Sequence, residues 1–85
     1  MLAGLFAFIR LQHRQNTAVR AGLRAILRDR LLQAYHSCAR RGYAAPDERQ
    51  NFENVYLQYH ALGGNGVMDD VRRRFFGLPM EKRKE

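Results

Sequence analysis

The sequence predicts an all-α fold: a small helical bundle with one long basic amphipathic helix, a second helix, and a short third helix after a GGNG turn. Three observations predict it. Apolar residues recur at the i, i+3, i+4, i+7 spacing of a helical stripe in successive stretches of the chain. The 7 glycines cluster and the 2 prolines are rare, so long stretches are free of breakers. The 85 residues suffice for at most one domain, with a modest core that three one-sided helices fill by facing one another.

The first 16 residues form an amphipathic leader. Leu2, Leu5, Phe6 and Ile9 lie on one helical stripe, and Arg10, His13, Arg14, Gln15 and Asn16 interrupt the apolar character. The opening MLAGLFAFIRL lacks a basic start and a small-residue cleavage site, and it is too short to cross a ~30 Å hydrocarbon layer. Its apolar residues are expected to meet a second copy, another protein or a lipid surface. The leader either runs straight into the next helix or breaks near Asn16 and Thr17, both suitable N-caps.

Residues 17–79 are expected to form the helical domain. From Ala18 to Arg41, the residues Val19, Leu23, Ile26, Leu27, Leu31, Ala34, Tyr35 and Cys38 make the longest apolar stripe, with Arg20, Arg24 and Arg28 as a basic ridge at i+4 steps. Arg40 and Arg41 suit the negative end of the helix dipole, and Gly42 suits a left-handed stop. A second helix is predicted over residues 47–62, started by a capping box of Asp47 with Gln50 and striped by Phe52, Val55, Tyr56, Tyr59 and Leu62. Gly63, Gly64, Asn65 and Gly66 form the turn, since all four tolerate positive φ. Val67, Met68, Val71, Phe75 and Leu78 stripe the third helix, with Asp69 and Asp70 at its start, Arg72, Arg73 and Arg74 towards its end, and Gly77 and Pro79 as its stop. Residues 80–85 are a charged tail expected to be mobile.

Charge divides unevenly. Residues 1–45 hold eight Arg and one Asp, whereas residues 46–85 hold seven basic and seven acidic residues, so the whole net charge of +7 lies in the first half. This asymmetry points to nucleic acid, an anionic membrane or an acidic protein as partner. Arg in particular suits planar phosphate and carboxylate groups. A plain solvated basic face accounts for the same pattern equally well.

Catalytic and metal-binding constellations are missing. His13, His36 and His60 share no metal spacing, although antiparallel packing of the first two helices would bring His36 and His60 closer. Cys38 is the only cysteine, so no intrachain disulfide forms; it lies on the apolar stripe, as a buried structural thiol does, and a reducing interior is its simplest home. No cofactor, metal or enzymatic activity is expected. The GGNG segment lacks the GxxxxGK[ST] pattern, and Asp69 and Asp70 would repel a phosphate, so a plain turn is the better reading. In a helix-turn-helix reading, base edges would meet Val67, Met68, Asp69 and Asp70, which are apolar or acidic. Nucleic-acid binding, if present, is therefore expected through backbone contacts by Arg20, Arg24, Arg28, Arg72, Arg73 and Arg74, with little sequence readout. Tyr35, Tyr43, Tyr56 and Tyr59 are better explained by packing than by base stacking.

Residues 23–79 resemble a family of short proteins encoded in phages and prophages of Gram-positive bacteria. The resemblance is carried by the LRDRLLQAY segment, the RGY exit, the acidic-polar start of the second helix, YLQYHALGGNG and the closing GLP. The departures are AAP after RGY and a more basic, Phe-rich leader. The family is uncharacterised, with no assigned binding or catalytic residues, so the resemblance implies a viral origin and a bacterial cytoplasmic setting, not a mechanism. The reading is a non-enzymatic accessory protein whose Arg-rich helix engages nucleic acid or a host nucleoprotein, with modulation of host defence as one role. The alternatives are a homo-oligomeric structural, assembly or lysis-module protein, and a peripheral membrane protein held by Leu2, Leu5, Phe6 and Ile9.

Overall fold

The computed structural model describes the backbone of residues 2–64 and 66–82, and the side chains of residues 16–64 and 66–82. The side chains of Leu2, Leu5, Phe6 and Ile9, and all of Asn65, lie outside the described residues. The described residues form three helices: α1 (Leu2–Arg41), α2 (Pro46–Ala61) and α3 (Gly66–Phe76).

Helix α1 is continuous through Asn16 and Thr17, so neither acts as an N-cap. Its 40 residues make a rod about 60 Å long. It stops where the sequence places the stop: Gly42 has φ 94°, and its N–H returns to the Cys38 carbonyl at 2.8 Å.

Helix α2 starts one residue earlier than the spacing predicts, and its cap is not the Asp47–Gln50 box. The N-cap is Ala45, extended at φ −67° and ψ 159° as a residue before proline must be, and Pro46 occupies the first helical position. The Glu48 carboxylate reaches back to the Ala45 N–H at 3.3 Å, supplying half of a box whose other half Ala45 has no side-chain oxygen to make.

The far end of α2 closes in a Schellman motif. Gly63 N–H bonds to the His60 carbonyl at 3.0 Å, and Gly64 N–H bonds to the Tyr59 carbonyl at 3.1 Å, with Gly63 at φ 88°. Among the described turn glycines only Gly63 uses positive φ. Gly64 is required for space instead: a Cβ there would lie 2.1 Å from Cε1 of Tyr59. Gly77 ends α3 without a left-handed residue, its N–H shared between the Arg73 and Arg74 carbonyls at 3.1 and 3.2 Å.

Each helix sinks two residues seven apart into one core: Leu31 and Cys38, Phe52 and Tyr59, Met68 and Phe75, with Ala44 completing the set. A seven-residue repeat returns to nearly the same face, so each helix presents one edge to the other two. Phe52 and Phe75 stack with ring centroids 4.1 Å apart, and Phe76 closes on Phe52 edge-on at 6.0 Å.

The path runs up, down and up again. Cys38 meets Glu48 at one end of the α1–α2 hairpin, and Arg24 meets Leu62 at the other. Helix α3 brings the chain back to the α1–α2 linker, where Ala44 N–H bonds to the Pro79 carbonyl at 2.8 Å. Arg49 holds that junction, donating to the Ala44 carbonyl at 3.3 Å and to the Leu78 carbonyl.

This geometry corrects the expected apolar stripe of α1. Helix α2 has 16 residues, about 24 Å, and ends level with Arg24, so α1 extends beyond its partner. Val19, Leu23 and Ile26, expected in the core, are 60, 44 and 61 % exposed. The covered part of the stripe begins at Leu27.

Candidate functional site

The arginines singled out in the sequence fall into two groups with different electrostatic surroundings. On α3 they face acids. Arg72 makes a two-pronged bond to Glu53, Nε to Oε2 and a terminal nitrogen to Oε1, both at 2.8 Å, and its guanidinium lies over the rings of Tyr56 and Phe76 at 5.1 and 5.0 Å. Arg74 and Arg73 sit 3.0 and 3.6 Å from Asp70, one helical turn away. The Tyr56 hydroxyl donates to Asp69, and that hydrogen bond, followed by burial, holds the phenol above its ordinary pKa. The expected basic cluster of Arg72, Arg73 and Arg74 is therefore largely neutralised in place.

On α1 the surroundings differ. Arg20, Arg28, Arg30 and Arg40 form no ion pair with an acid among the described residues. Asp29, the one acid of α1, instead accepts from Gln33 at 3.1 Å. Arg24 is half-buried, and its Nη1 donates to the Leu62 carbonyl at 2.9 Å, a cation placed on the negative end of α2. The i+4 row Arg20, Arg24, Arg28 is thus not a uniform ridge, since its middle member is committed to the fold.

These arginines line two adjoining clefts. One, of about 380 Å³, is bounded by Ala21, Arg24, Ala25, Arg28, Tyr59, Gly63 and Gly64. The other, of about 340 Å³, is bounded by Asn16, Thr17, Arg20 and Arg24. Among the described residues no carboxylate lines either cleft. The small side chains of Ala21 and Ala25 leave α1's surface open, and Gly63 and Gly64 keep the facing turn free of side chains. Sequence spacing found the arginines; the Gly63–Gly64 wall depends on where α2 ends and is not visible in it.

A second cluster surrounds Cys38. Its thiol is buried and donates to Glu48 Oε2 at 3.2 Å; Glu48 in turn pairs with Arg41, whose guanidinium stacks on Tyr43 at 4.0 Å. Burial, then the hydrogen bond to the Glu48 carboxylate, pushes the thiol up to about 11, the opposite of what a nucleophilic cysteine needs. The same two hydrogen bonds, from Arg41 first and Cys38 second, hold Glu48 below the usual carboxylate range.

The described histidines do not converge. The His36 ring lies 5.6 Å from Tyr35 and the His60 ring 6.0 Å from Tyr56, each on its own helix, and both residues are exposed. Among the described residues no group of three or more His, Cys, Asp or Glu is placed to hold a metal ion, and no helix is long and apolar enough to cross a membrane. Comparison with protein-family models, with curated proteins and with solved structures finds no match to this chain.

Proposed function

We propose that this chain is a small binding protein, without chemistry of its own, that uses the arginines of α1 to engage the phosphate backbone of nucleic acid, free or in a nucleoprotein. The observation that carries the reading is the contrast between the two arginine groups. Those of α3 are matched by Glu53 and Asp70, whereas Arg20 and Arg28 flank carboxylate-free clefts. Unmatched guanidinium groups beside a concave surface favour phosphate by charge and by planar hydrogen bonding. The resemblance of residues 23–79 to phage and prophage proteins supports a bacterial cytoplasmic setting, in which a nucleic-acid binder would act on phage or host DNA transactions, host defence included.

The test is a pair of variants. Reversing charge at Arg20 and Arg28 together is expected to abolish binding to a labelled mixed-sequence oligonucleotide, while removing residues 1–16 leaves most of the affinity. The opposite pattern overturns the reading.

One observation favours a second reading, peripheral attachment to an anionic membrane: Val19, Leu23 and Ile26 are exposed on the same helix as the unmatched arginines. The same apolar face would serve a second copy in an oligomer. The eight arginines of residues 1–45 against one aspartate set like charges together when two α1 helices pair, so an anionic partner is the better match.

A further inference from the structure

Helix α1 outruns its partner. Over residues 2–23, about 33 Å, it projects past the last turn of α2, and every described residue from Asn16 to Leu23 is exposed. In water a helix draws most of its stability from packing one apolar face. The projecting end has such a face, and its spacing suits another helix. Asn16, Val19, Leu23 and Ile26 follow one another at alternating steps of three and four residues. In the sequence the same steps lead back through Gln12, Ile9, Leu5 and Leu2, all within α1. These are the a and d positions of a seven-residue repeat, the seam of a coiled coil. The face that meets α2 is a different one, since Leu27, Leu31, Ala34 and Cys38 fall at e and b. Beyond Ile26 the seam turns polar at Arg30, Gln33 and Ser37, so it ends within a turn of where α2 begins to cover α1. We infer that two copies of this chain pair through the seam of residues 2–26 as a two-stranded coiled coil.

The occupant follows from the seam's self-complementarity. Apolar residues hold both of its ends, and the amides Gln12 and Asn16 hold its middle. A parallel copy sets Asn16 against Asn16, and an antiparallel copy sets it against Gln12. In either orientation amides meet amides and apolar residues meet apolar residues. Lipid tails would leave the same two amides without partners. The like charges of two α1 helices oppose pairing less than their number suggests, because the register keeps them out of the seam. Arg10 and Arg24 stand at b, Arg14 and Arg28 at f, and Arg20 flanks the seam at e. Repulsion between exposed charges is screened by salt, so pairing strengthens as salt rises, the opposite of phosphate binding. The inference goes beyond the nucleic-acid reading and does not depend on it.

The experiment is sedimentation equilibrium of the full chain, without nucleic acid, at about 50 and 200 mM salt. A dimer is expected, several-fold tighter at the higher salt. Leu23→Asp and Ile26→Asp each place an unpaired charge in the seam and should weaken the dimer at least about tenfold. Leu57→Asp, at an exposed apolar residue of α2, is the control and should leave the mass unchanged. Leu23 and Ile26 are exposed in the single chain, so both variants should keep the three-helix core, which near-ultraviolet circular dichroism of the tyrosines checks. A monomer at both salts, a dimer that both seam variants leave intact, or a dimer that loosens as salt rises overturns the inference. None of these results bears on oligonucleotide binding, which is measured separately and which salt weakens.

Discussion

Arg24 donates to the carbonyl oxygen of Leu62 at 2.9 Å, joining α1 to the last turn of α2 across 38 residues of sequence. The bond satisfies a carbonyl that the helix itself leaves without a partner and places a positive charge on the negative end of the α2 dipole. Replacing Arg24 with Met keeps the aliphatic stem and removes both effects. The expected loss is about 1 kcal/mol in urea unfolding, between the range for a helix-terminus charge and that for a charged hydrogen bond, since the site is only half-buried. Arg24→Lys should recover part of it.

The turn beside that bond makes two different demands on its glycines. Gly63→Ala places a Cβ on a left-handed residue and is expected to cost about 1–2 kcal/mol. Gly64→Ala drives a Cβ into the Tyr59 ring, whose place in the core leaves it little room to move, and should cost about 2–3 kcal/mol. Thermal melts of the two variants test the ranking: Gly64→Ala should melt lower than Gly63→Ala.

Phe52 and Phe75 are 1 and 0 % exposed and stack on each other, so truncating either one opens a cavity between α2 and α3. A buried Phe→Ala change costs about 3–5 kcal/mol, a large part of the stability of so short a chain. Each variant is expected to lose its cooperative melt, whereas Leu57→Ala, at a side chain 55 % exposed, should melt close to the wild type.

Much of this arrangement was legible in the sequence, for definite reasons. The Gly42 stop, the Gly63–Gly64 turn and the buried edges of α2 and α3 follow from residue types that permit few alternatives. Val19, Leu23 and Ile26 misled because a helical stripe records which face is apolar, not how far the neighbouring helix reaches. The Asp47–Gln50 box misled because Pro46 claims the first helical position and moves the cap to Ala45. Arg72 looked like a free cation because Glu53 lies on another helix and the pairing needs the third dimension. The Asp70 partner of Arg73 and Arg74, by contrast, stands at i,i+3 and i,i+4 on α3 itself and was within reach of the sequence. Arg49, which ties the Ala44 linker to Leu78, carried no sequence signal, because its partners are backbone carbonyls.

The Cys38–Glu48 contact gives the protein a pH signature. Glu48 is held below its ordinary 4.5 in the folded state, so it contributes stability above about pH 4.5 that disappears as the pH falls through the folded value. Cys38 is raised from 9.0 to about 11, so stability should fall as the pH rises through that interval, where only the unfolded thiol ionises. Glu48→Gln should flatten the acid limb of a plot of melting temperature against pH. At pH 8 the native thiol should resist alkylation by iodoacetamide and react promptly in urea; equal rates in both conditions would contradict its burial.

Removing residues 1–16 separates the anionic-partner readings. If α1 binds nucleic acid through Arg20 and Arg28, the shortened chain should keep salt-dependent binding to oligonucleotides, weakened by no more than the contacts that Arg10 and Arg14 could add. If the leader attaches the protein to lipid, sedimentation with phosphatidylglycerol vesicles should be lost in the shortened chain and present in the full one.

The most direct measurement is the affinity of the full chain for a labelled single-stranded oligonucleotide at about 50 and 200 mM salt, with phosphatidylglycerol vesicles as a parallel ligand. Three or four phosphate contacts by α1 should weaken binding about twenty- to fiftyfold across that range. Binding that ignores salt, or a chain that leaves the oligonucleotide free at 50 mM salt while sedimenting with the vesicles, would contradict the account.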